Sequence, residues 1–384
     1  MQPNSSIPPA KDPVLFTPGP LTTSLSVKQA MLHDAGSWHW DFNELVRRLR
    51  EQLLALAGIS RDAGYEVIPM QGSGTFGVES VLGSVLPPDG KLLILANGAY
   101  GERMAQMASH LKIPACILCS PENECPDLEA LRRALSDDPG LTHVAAVHCE
   151  TTTGILNPIR EIGQIVKSFG RNYIVDAMSS FGAVPIDFQA AGIDFLISSP
   201  NKCLEGVPGF SFVIARRAAL LATEGWARSL SLDLLGQWKG FEKNGQFRYT
   251  PPTHSILAFE QALRELALEG GRGARAARYA ANHRALVEGM ARLGFTPYLK
   301  PEVQSYIITS FHFPSDPKFS FQEFYRLLAE KGFIIYPGKI SQADTFRIAS
   351  IGRIFESDVR ALLSAIGQSM EQMGMGGDHV LGFF

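Results

Sequence analysis

Lys202 directly follows a short apolar run and a Ser/Pro/Asn loop, in the sequence Leu-Ile-Ser-Ser-Pro-Asn-Lys at 196–202. Most lysines are solvated, but a strand that ends here would carry this one to the interior end of a sheet. Desolvation lowers the pKa of a lysine and makes its free amine nucleophilic toward aldehydes. Lys202 is therefore the first candidate for a residue that forms a Schiff base.

Asp176 closes another apolar run, Ile-Val-Asp at 174–176. A carboxylate at the end of a strand points into the crevice beyond the sheet. Beside a pyridine nitrogen, it would keep that nitrogen protonated, so that the ring could accept the electrons of a carbanion. Taken alone, Asp176 is equally compatible with a helix cap or a surface carboxylate.

Residues 71–75, Gln-Gly-Ser-Gly-Thr, stand between a strand candidate and a helix candidate. Small residues allow backbone N–H groups to approach an anion, and the start of a helix favours negative charge. Ser73 and Thr75 add hydroxyl donors. Neither a Walker loop nor the dinucleotide fingerprint fits, so a phosphate site and an ordinary glycine turn both remain open.

Arg347 lies between apolar residues in Thr-Phe-Arg-Ile-Ala at 345–349. Its charge is costly there without an anionic partner. The guanidinium fork matches the paired oxygens of a carboxylate or a phosphonate. A structural salt bridge is the alternative.

These features fall at the ends of apolar runs that alternate with amphipathic ones. The pattern predicts an α/β fold with a mostly parallel seven-stranded sheet and helices on both faces. The predicted strands are 65–70, 91–96, 115–119, 143–148, 172–176, 194–198 and 209–215, and the helices between them are 78–86, 100–110, 127–136 and 159–169. Open α/β sheets bind their ligands at the carboxyl ends of such strands.

The C-terminal part reads as a smaller α+β unit. Two long helices, 254–268 and 273–293, precede a strand at 306–313, a helix at 321–331, strands at 333–336 and 345–350, and a helix at 357–373. We therefore expect an N-terminal extension (1–15), a large domain (16–270), a small C-terminal domain (271–373) and a flexible tail (374–384). A length of 384 residues is consistent with two domains.

Composition narrows the functional class. The net charge of −3 argues against a general nucleic-acid binder. No apolar run reaches the ~18 residues of a membrane span, and the N-terminus lacks the order of a signal peptide, so a cytoplasmic protein is expected. The five cysteines suit reduced thiols. Cys116 and Cys119 form a CxxC without a second pair, which favours core packing, and no metal site is expected.

Taken together, these residues resemble the class V aminotransferases, a branch of the fold-type I enzymes that use pyridoxal 5'-phosphate (PLP). The resemblance runs from about residue 16 to residue 373. Its more specific stretches are 16–23, 70–74, 97–101, 150–154, 175–182, 198–203, 228–234, 252–254 and 336–339. Within the family, they resemble the branch that transfers the amino group of 2-aminoethylphosphonate to pyruvate.

The resemblance implies a role for each matching position. Lys202 would hold the cofactor and shuttle the proton, and Asp176 would pair with the pyridine nitrogen. The other cofactor-binding positions would be Ser73, Gly74, Thr75, Tyr100, Thr152 (or Thr151), Met178 and Asn201, with Thr250 reaching the site of a neighbouring subunit. Arg347 and Gly19 would bind the substrate. The active unit would be a homodimer.

We weigh four alternatives to this function. Alanine–glyoxylate or serine–pyruvate transamination keeps the fold and changes the amino donor. A cysteine desulfurase is disfavoured because it needs a mobile nucleophilic cysteine, whereas Cys203 is better explained by packing. A catalytically silent scaffold would be expected to lack the lysine or the aspartate. A dehydrogenase would need the dinucleotide fingerprint.

Overall fold

The computed structural model describes residues 12–341 and 343–375. The helices are α1 (Leu25–Ala30), α2 (Trp40–Ala57), α3 (Gly74–Val85), α4 (Ala99–His110), α5 (Leu128–Asp137), α6 (Ile159–Ser168), α7 (Arg217–Leu221), α8 (Leu234–Asn244), α9 (Thr253–Glu269), α10 (Gly271–Arg292), α11 (Phe321–Glu330) and α12 (Glu356–Gln372). The strands are β1 (Val14–Leu15), β2 (Tyr65–Gln71), β3 (Lys91–Ala96), β4 (Ala115–Cys119), β5 (Leu141–Val147), β6 (Cys149–Glu150), β7 (Ile155–Leu156), β8 (Asn172–Asp176), β9 (Phe195–Ser198), β10 (Phe210–Arg216), β11 (Ile308–His312), β12 (Phe333–Ile334), β13 (Tyr336–Pro337) and β14 (Thr345–Ala349).

The centre of the molecule is a seven-stranded sheet in the order β2-β10-β9-β8-β5-β3-β4. Only β10 runs antiparallel to its neighbours among these strands, and the other pairs are parallel. The interior strands are buried along nearly their whole length, as expected for a sheet covered by helices. The predicted fold class is confirmed.

The register of the sheet brings the reactive positions to one edge. Asp176, the last residue of β8, pairs with Ile197 of β9, so these two strands end almost level. Because β10 runs the opposite way, it begins at this edge, where its first residue Phe210 pairs with Gln71 at the end of β2. The carboxyl ends of β2, β8 and β9 therefore meet beside the start of β10.

A smaller sheet, β11-β14-β13, is antiparallel. Its hydrophobic cluster joins residues of α10, α11 and α12 to Phe346 and Ile348 of β14. The N-terminal strand β1 pairs with β12 of this unit, and Phe16 lies in the same cluster. A third cluster includes Leu21, Cys203, Ile307 and Ile351 and so links the Lys202 loop to the small sheet.

The predicted domain limits can be compared with this packing. Gly270, with φ of +108°, ends α9 just before α10 begins, close to the predicted limit. Val14–Leu15 is a paired strand, although it falls in the predicted extension. Met375, in the predicted tail, is buried against the small unit, while residues 1–11 and 376–384 lie outside the described residues. The division into domains stays a prediction.

The expectation that Cys116 and Cys119 pack in a core is wrong. Both are exposed, because β4 forms the outer edge of the large sheet with β3 as its one strand neighbour. An apolar run looks alike in a central and an edge strand, so sequence could not separate the two. No helix in the described part of the chain combines the length and apolar character needed to cross a bilayer.

Candidate active site

A cavity opens at the sheet edge where β8 and β9 end. Eight of the predicted site residues line it, namely Ser73, Gly74, Thr75, Tyr100, Asp176, Met178, Asn201 and Lys202. Further lining residues are Val78, Arg103, Met104, Met107, Thr151, Ser179, Ser199, Pro208 and Gly209. Parts of the chain more than a hundred residues apart thus meet in one place.

Lys202 faces this cavity from the loop after β9. Its Nζ donates to the carbonyl oxygen of Pro18 at 2.7 Å and lies 3.4 Å from that of Gly19. Burial lowers the pKa of Lys202 to about 8, while the negative charge of Asp176 opposes the shift. A sizeable fraction of the amine is therefore uncharged, and so nucleophilic, near neutral pH.

Gly19 lies against the lysine side chain. Its φ is +113°, and a Cβ atom built there would lie 2.5 Å from the carbonyl oxygen of Asn201 and 2.6 Å from Lys202 Cδ. A side chain at position 19 would therefore displace the lysine as well as strain the backbone. The N-terminal segment therefore packs against the lysine, although Gly19 is not among the residues that line the cavity.

Asp176 is buried at the end of β8, and its Oδ1 accepts a hydrogen bond from the backbone N–H of Met178 at 2.9 Å. Burial raises the pKa of this carboxyl to about 6, and the hydrogen bond from Met178 opposes the shift. A cationic group beside the carboxylate would be stabilised by it and would lower its pKa in turn.

The start of α3 forms another wall. Ser73 is the N-cap residue of α3, but its side chain makes no capping hydrogen bond. The N–H groups of Gly74 and Thr75 lie in the first turn, where a helix offers no carbonyl acceptor of its own. A Cβ atom at Gly74 would lie 2.6 Å from Met178 Sδ. A side chain at this position would therefore have to move Met178 from its place beside the start of α3.

The two threonines after Glu150 face different ways. Thr151 lines the cavity and its hydroxyl lies 2.9 Å from that of Ser179. Thr152 lies outside the lining, and its Oγ1 donates to the buried Glu150 Oε1 at 2.5 Å. The contact with the cofactor that was expected of Thr152 (or Thr151) stays a prediction, and the cavity lining favours Thr151.

Arg347 is buried on β14 next to the cavity. Its Nε donates to the carbonyl oxygen of Pro337 at 3.0 Å, and Nη1 donates to that of Thr151 at 2.9 Å. Burial lowers its pKa, with Tyr100 and Tyr336 opposing the shift. No carboxylate among the described residues lies within ion-pair distance of Arg347, so the structure does not support the alternative of a structural salt bridge. The guanidinium is therefore available to pair with an anionic ligand.

Comparison with known proteins identifies the family. A profile described as aminotransferase class-V matches residues 25–356.

The chain belongs to this family.

Curated relatives of this aminotransferase agree. A 2-aminoethylphosphonate–pyruvate transaminase of Salmonella typhimurium is 54% identical over 359 residues, covering 93% of this chain and 97% of the relative. One of Syntrophobacter fumaroxidans is 53% identical over 362 residues, covering 94% and 97%. The resemblance read from the sequence is thereby confirmed.

Solved structures of other aminotransferases have the same fold. Alanine–glyoxylate aminotransferase from Nostoc sp. aligns with a TM-score of 0.84 at 26% identity, covering 94% of this chain and 96% of that one. Pyridoxamine–pyruvate aminotransferase from Mesorhizobium loti aligns with a TM-score of 0.86 at 24% identity, covering 98% and 97%. At such identity the second likeness speaks for the fold alone.

Thr250 does not line the cavity of its own chain. It is exposed in the segment before α9, and its carbonyl oxygen lies 3.5 Å from Gln71 Nε2, which also donates to the carbonyl oxygen of Tyr249 at 2.8 Å. The preceding residue, Tyr249, is 42% exposed. Thr250 thus lies on an open, partly aromatic surface of the aminotransferase.

The sequence predicted only Tyr100 among the residues of α4 that line the cavity. Tyr100, Arg103, Met104 and Met107 all line the cavity, and their spacing of three and four residues places them on one side of a helix. That spacing, counted from Tyr100, was the signal that could have found Arg103. Glu150 was also missed as a positioning residue: its carboxylate accepts from the Tyr100 backbone N–H at 3.2 Å, at the start of α4.

Proposed function

We propose that this enzyme is a PLP-dependent aminotransferase that converts 2-aminoethylphosphonate and pyruvate into phosphonoacetaldehyde and L-alanine, a step in phosphonate catabolism. The observation that carries the proposal is the enclosure of Lys202 and Asp176 in one cavity beside Arg347. The names of relatives 53–54% identical over nearly their whole length support the substrate pair. A cytoplasmic location suits the five free thiols.

The residues fit the cofactor at each of its functional groups. Lys202 offers an amine of lowered pKa for the aldehyde, and Asp176 offers a carboxylate for the ring nitrogen. Ser73 and Thr75 supply hydroxyl donors at the start of α3, where a phosphate is favoured. Tyr100 and Met178, which both line the cavity, would cover the two faces of the ring, and Thr151 would donate to the phenolic oxygen.

When bound, PLP supplies an electron sink that stabilises negative charge on the carbon next to the substrate nitrogen. Lys202, as a free amine, takes the proton from that carbon and later returns a proton, which its lowered pKa permits near neutral pH. Asp176 holds a proton on the ring nitrogen through charge pairing in a buried site. The carbon–phosphorus bond stays intact throughout.

Arg347 would orient both substrates. A phosphonate and a carboxylate each present paired oxygens to a guanidinium fork, so one arginine can serve both half-reactions. Since carbonyl groups of Pro337 and Thr151 fix Nε and Nη1, the plane of the fork is set before a substrate arrives. Gly19 leaves room for the side chain of Lys202, so its own contact with the substrate would be made by its backbone.

The active unit would be a homodimer. Thr250 is exposed and outside its own cavity, so a phosphate contact from this residue requires a second copy of the chain. The exposed ring of Tyr249, the preceding residue, offers apolar area for that contact.

The test is an absorbance titration of the purified holoenzyme. Adding 2-aminoethylphosphonate should bleach the visible band of the bound cofactor, and adding pyruvate should restore it with formation of L-alanine. Bleaching by alanine that glyoxylate reverses, or by serine that pyruvate reverses, with no bleaching by 2-aminoethylphosphonate, would replace this substrate pair with the alternative.

Lys202→Ala should abolish both the visible band and turnover, whereas Lys239→Ala, at an exposed lysine paired with Glu224, should leave both unchanged. Arg347→Lys keeps the charge but loses the fork, so the KM values of both substrates should rise roughly tenfold or more. Full activity of Lys202→Ala would refute the assignment of the lysine.

A further inference from the structure

Arg103 is the one arginine that lines the cavity within the described part of the chain. It lies one turn after Tyr100 on α4, and its guanidinium carbon is 4.8 Å from the centre of the Tyr100 ring. Its Nη1 donates to Thr75 Oγ1 at 3.3 Å. These two contacts hold the positive charge of Arg103 at the end of the cavity where α3 begins.

Each of the other charged residues that line the cavity has a proposed role, whereas Arg103 has none. Lys202 must be uncharged to react, and Asp176 is matched by the protonated ring nitrogen. A phosphate monoester carries about −1.5 to −2 at neutral pH, while a helix N-terminus offers only about half a positive charge. Among the described lining residues, Arg103 is the remaining full positive charge, and no salt bridge there ties it to a carboxylate.

We propose that Arg103 pairs with the phosphate group of the cofactor and makes the site prefer the phosphorylated form over unphosphorylated pyridoxal. The inference rests on the proposed function, because it presupposes that this cavity holds PLP. Thr75 positions the guanidinium through its hydroxyl, and Tyr100 supports it through its ring face. The same helix face would then contact the cofactor ring through Tyr100 and its phosphate through Arg103.

The test compares how the apoprotein binds PLP and pyridoxal. Both ligands present the same aldehyde and ring, so the difference in their affinity isolates the phosphate. In Arg103→Gln the Kd for PLP should rise roughly 10- to 100-fold, the range of a lost charge-assisted hydrogen bond, while the Kd for pyridoxal stays within about twofold. Arg103→Lys should lose less, because the charge remains.

Arg133→Gln serves as the matched control. This arginine is exposed on α5, with its nearest carboxylate at 3.8 Å, and its removal should leave both affinities unchanged. The melting temperature of each apoprotein checks folding, and Arg103→Lys carries the comparison if Arg103→Gln does not fold.

An equal loss for PLP and pyridoxal would overturn the inference, because Arg103 would then act through Tyr100. So would an unchanged PLP affinity with a raised KM for 2-aminoethylphosphonate, which would assign Arg103 to the substrate. Failure of the wild-type apoprotein to bind either ligand would refute the proposed function itself, whereas wild-type binding that Arg103→Gln leaves intact would refute this inference alone.

Discussion

At the scale of single residues, the neighbours Thr151 and Thr152 divide two tasks. The hydroxyl of Thr151 faces the cavity, while that of Thr152 satisfies the buried carboxylate of Glu150. Glu150 in turn accepts from the backbone at the start of α4, which carries Tyr100. One threonine therefore serves the ligand, and the next serves the helix that carries part of the site.

The pair of variants Thr151→Val and Thr152→Val should separate these tasks. Thr152→Val removes a hydroxyl donor from a buried carboxylate and should lower the free energy of unfolding by about 1–3 kcal/mol. Thr151→Val should instead weaken PLP binding at a smaller cost in stability. Urea denaturation of the apoproteins and PLP titration measure both quantities, and the opposite pattern would return the cofactor contact to Thr152.

The pKa of Lys202 makes cofactor capture depend on pH. The reactive form is the uncharged amine, so the rate at which the apoprotein binds PLP should rise with pH and level off above about 8, the pKa of Lys202. Asp176→Asn removes a negative charge that raises this pKa, so the midpoint should move to lower pH. Stopped-flow absorbance gives the midpoints of the wild type and of Asp176→Asn. Because the free cofactor titrates identically in both experiments, the difference between the midpoints reports on Lys202. Coinciding midpoints would contradict the assignment.

At the scale of elements, a buried ionic network ties the Lys202 loop to α10. Glu205, three residues after the lysine and with φ of +55°, accepts from Arg278 Nη2 and from the Tyr279 hydroxyl, both at 2.6 Å. Arg275 donates to the carbonyl oxygen of Cys203 at 2.8 Å. Arg278 also donates to the carbonyl oxygen of Gly352, just after β14, at 2.6 Å. The network thus connects the loop of Lys202 to the segment that follows β14, the strand of Arg347.

Breaking this network should be costly. Glu205→Ala would leave Arg275 and Arg278 with Glu269 as their remaining carboxylate partner. The free energy of unfolding should therefore fall by about 3 kcal/mol, the lower end of the cost of breaking a buried pair. Glu44→Ala, at a surface carboxylate paired with Arg47, should change stability little. Equal unfolding midpoints for the two variants in urea would show that the network is not needed for stability.

The sequence predicted elements well where burial alone decides them. All seven strands of the large sheet were predicted because each contains a mainly apolar run, as in residues 92–96 of β3. The direction of β10 was not predictable, since a fully buried strand reads alike in either orientation. Asp176 was predicted because it ends a buried strand, and Lys202 because it lies in the loop just after one. Arg103 instead points to the site from a helix face whose orientation depends on tertiary packing. The edge position of Cys116 and Cys119 depends equally on strand order.

At the scale of the whole molecule, a shared site would allow complementation between subunits. If Thr250 serves the partner's cavity, a mixed dimer of Lys202→Ala and Thr250→Ala chains has one site with both residues intact. Mixing the two inactive or impaired variants after mild unfolding and refolding should therefore recover up to about a quarter of wild-type sites, the statistical share of one site in half of the dimers. The measurement is turnover at limiting PLP.

Its control pairs Lys202→Ala with the double variant Lys202→Ala/Thr250→Ala, which cannot form an intact site in any combination. The absence of recovery in the test mixture, once native mass spectrometry has shown mixed dimers, would place Thr250 outside the partner's site. Recovery in the control would instead contradict the assignment of Lys202.

The first stretch of the folded chain has a consequence for how this protein can be shortened. Residues 14–15 form a strand that pairs with Phe333–Ile334. The carbonyl oxygen of Pro18 accepts a hydrogen bond from the amine of Lys202. Trimming the N-terminus beyond residue 13 in search of a minimal enzyme would therefore remove a strand partner, and trimming beyond residue 18 would also remove an acceptor of the reactive amine. A truncation that reaches Pro18 should therefore lower catalytic activity as well as stability.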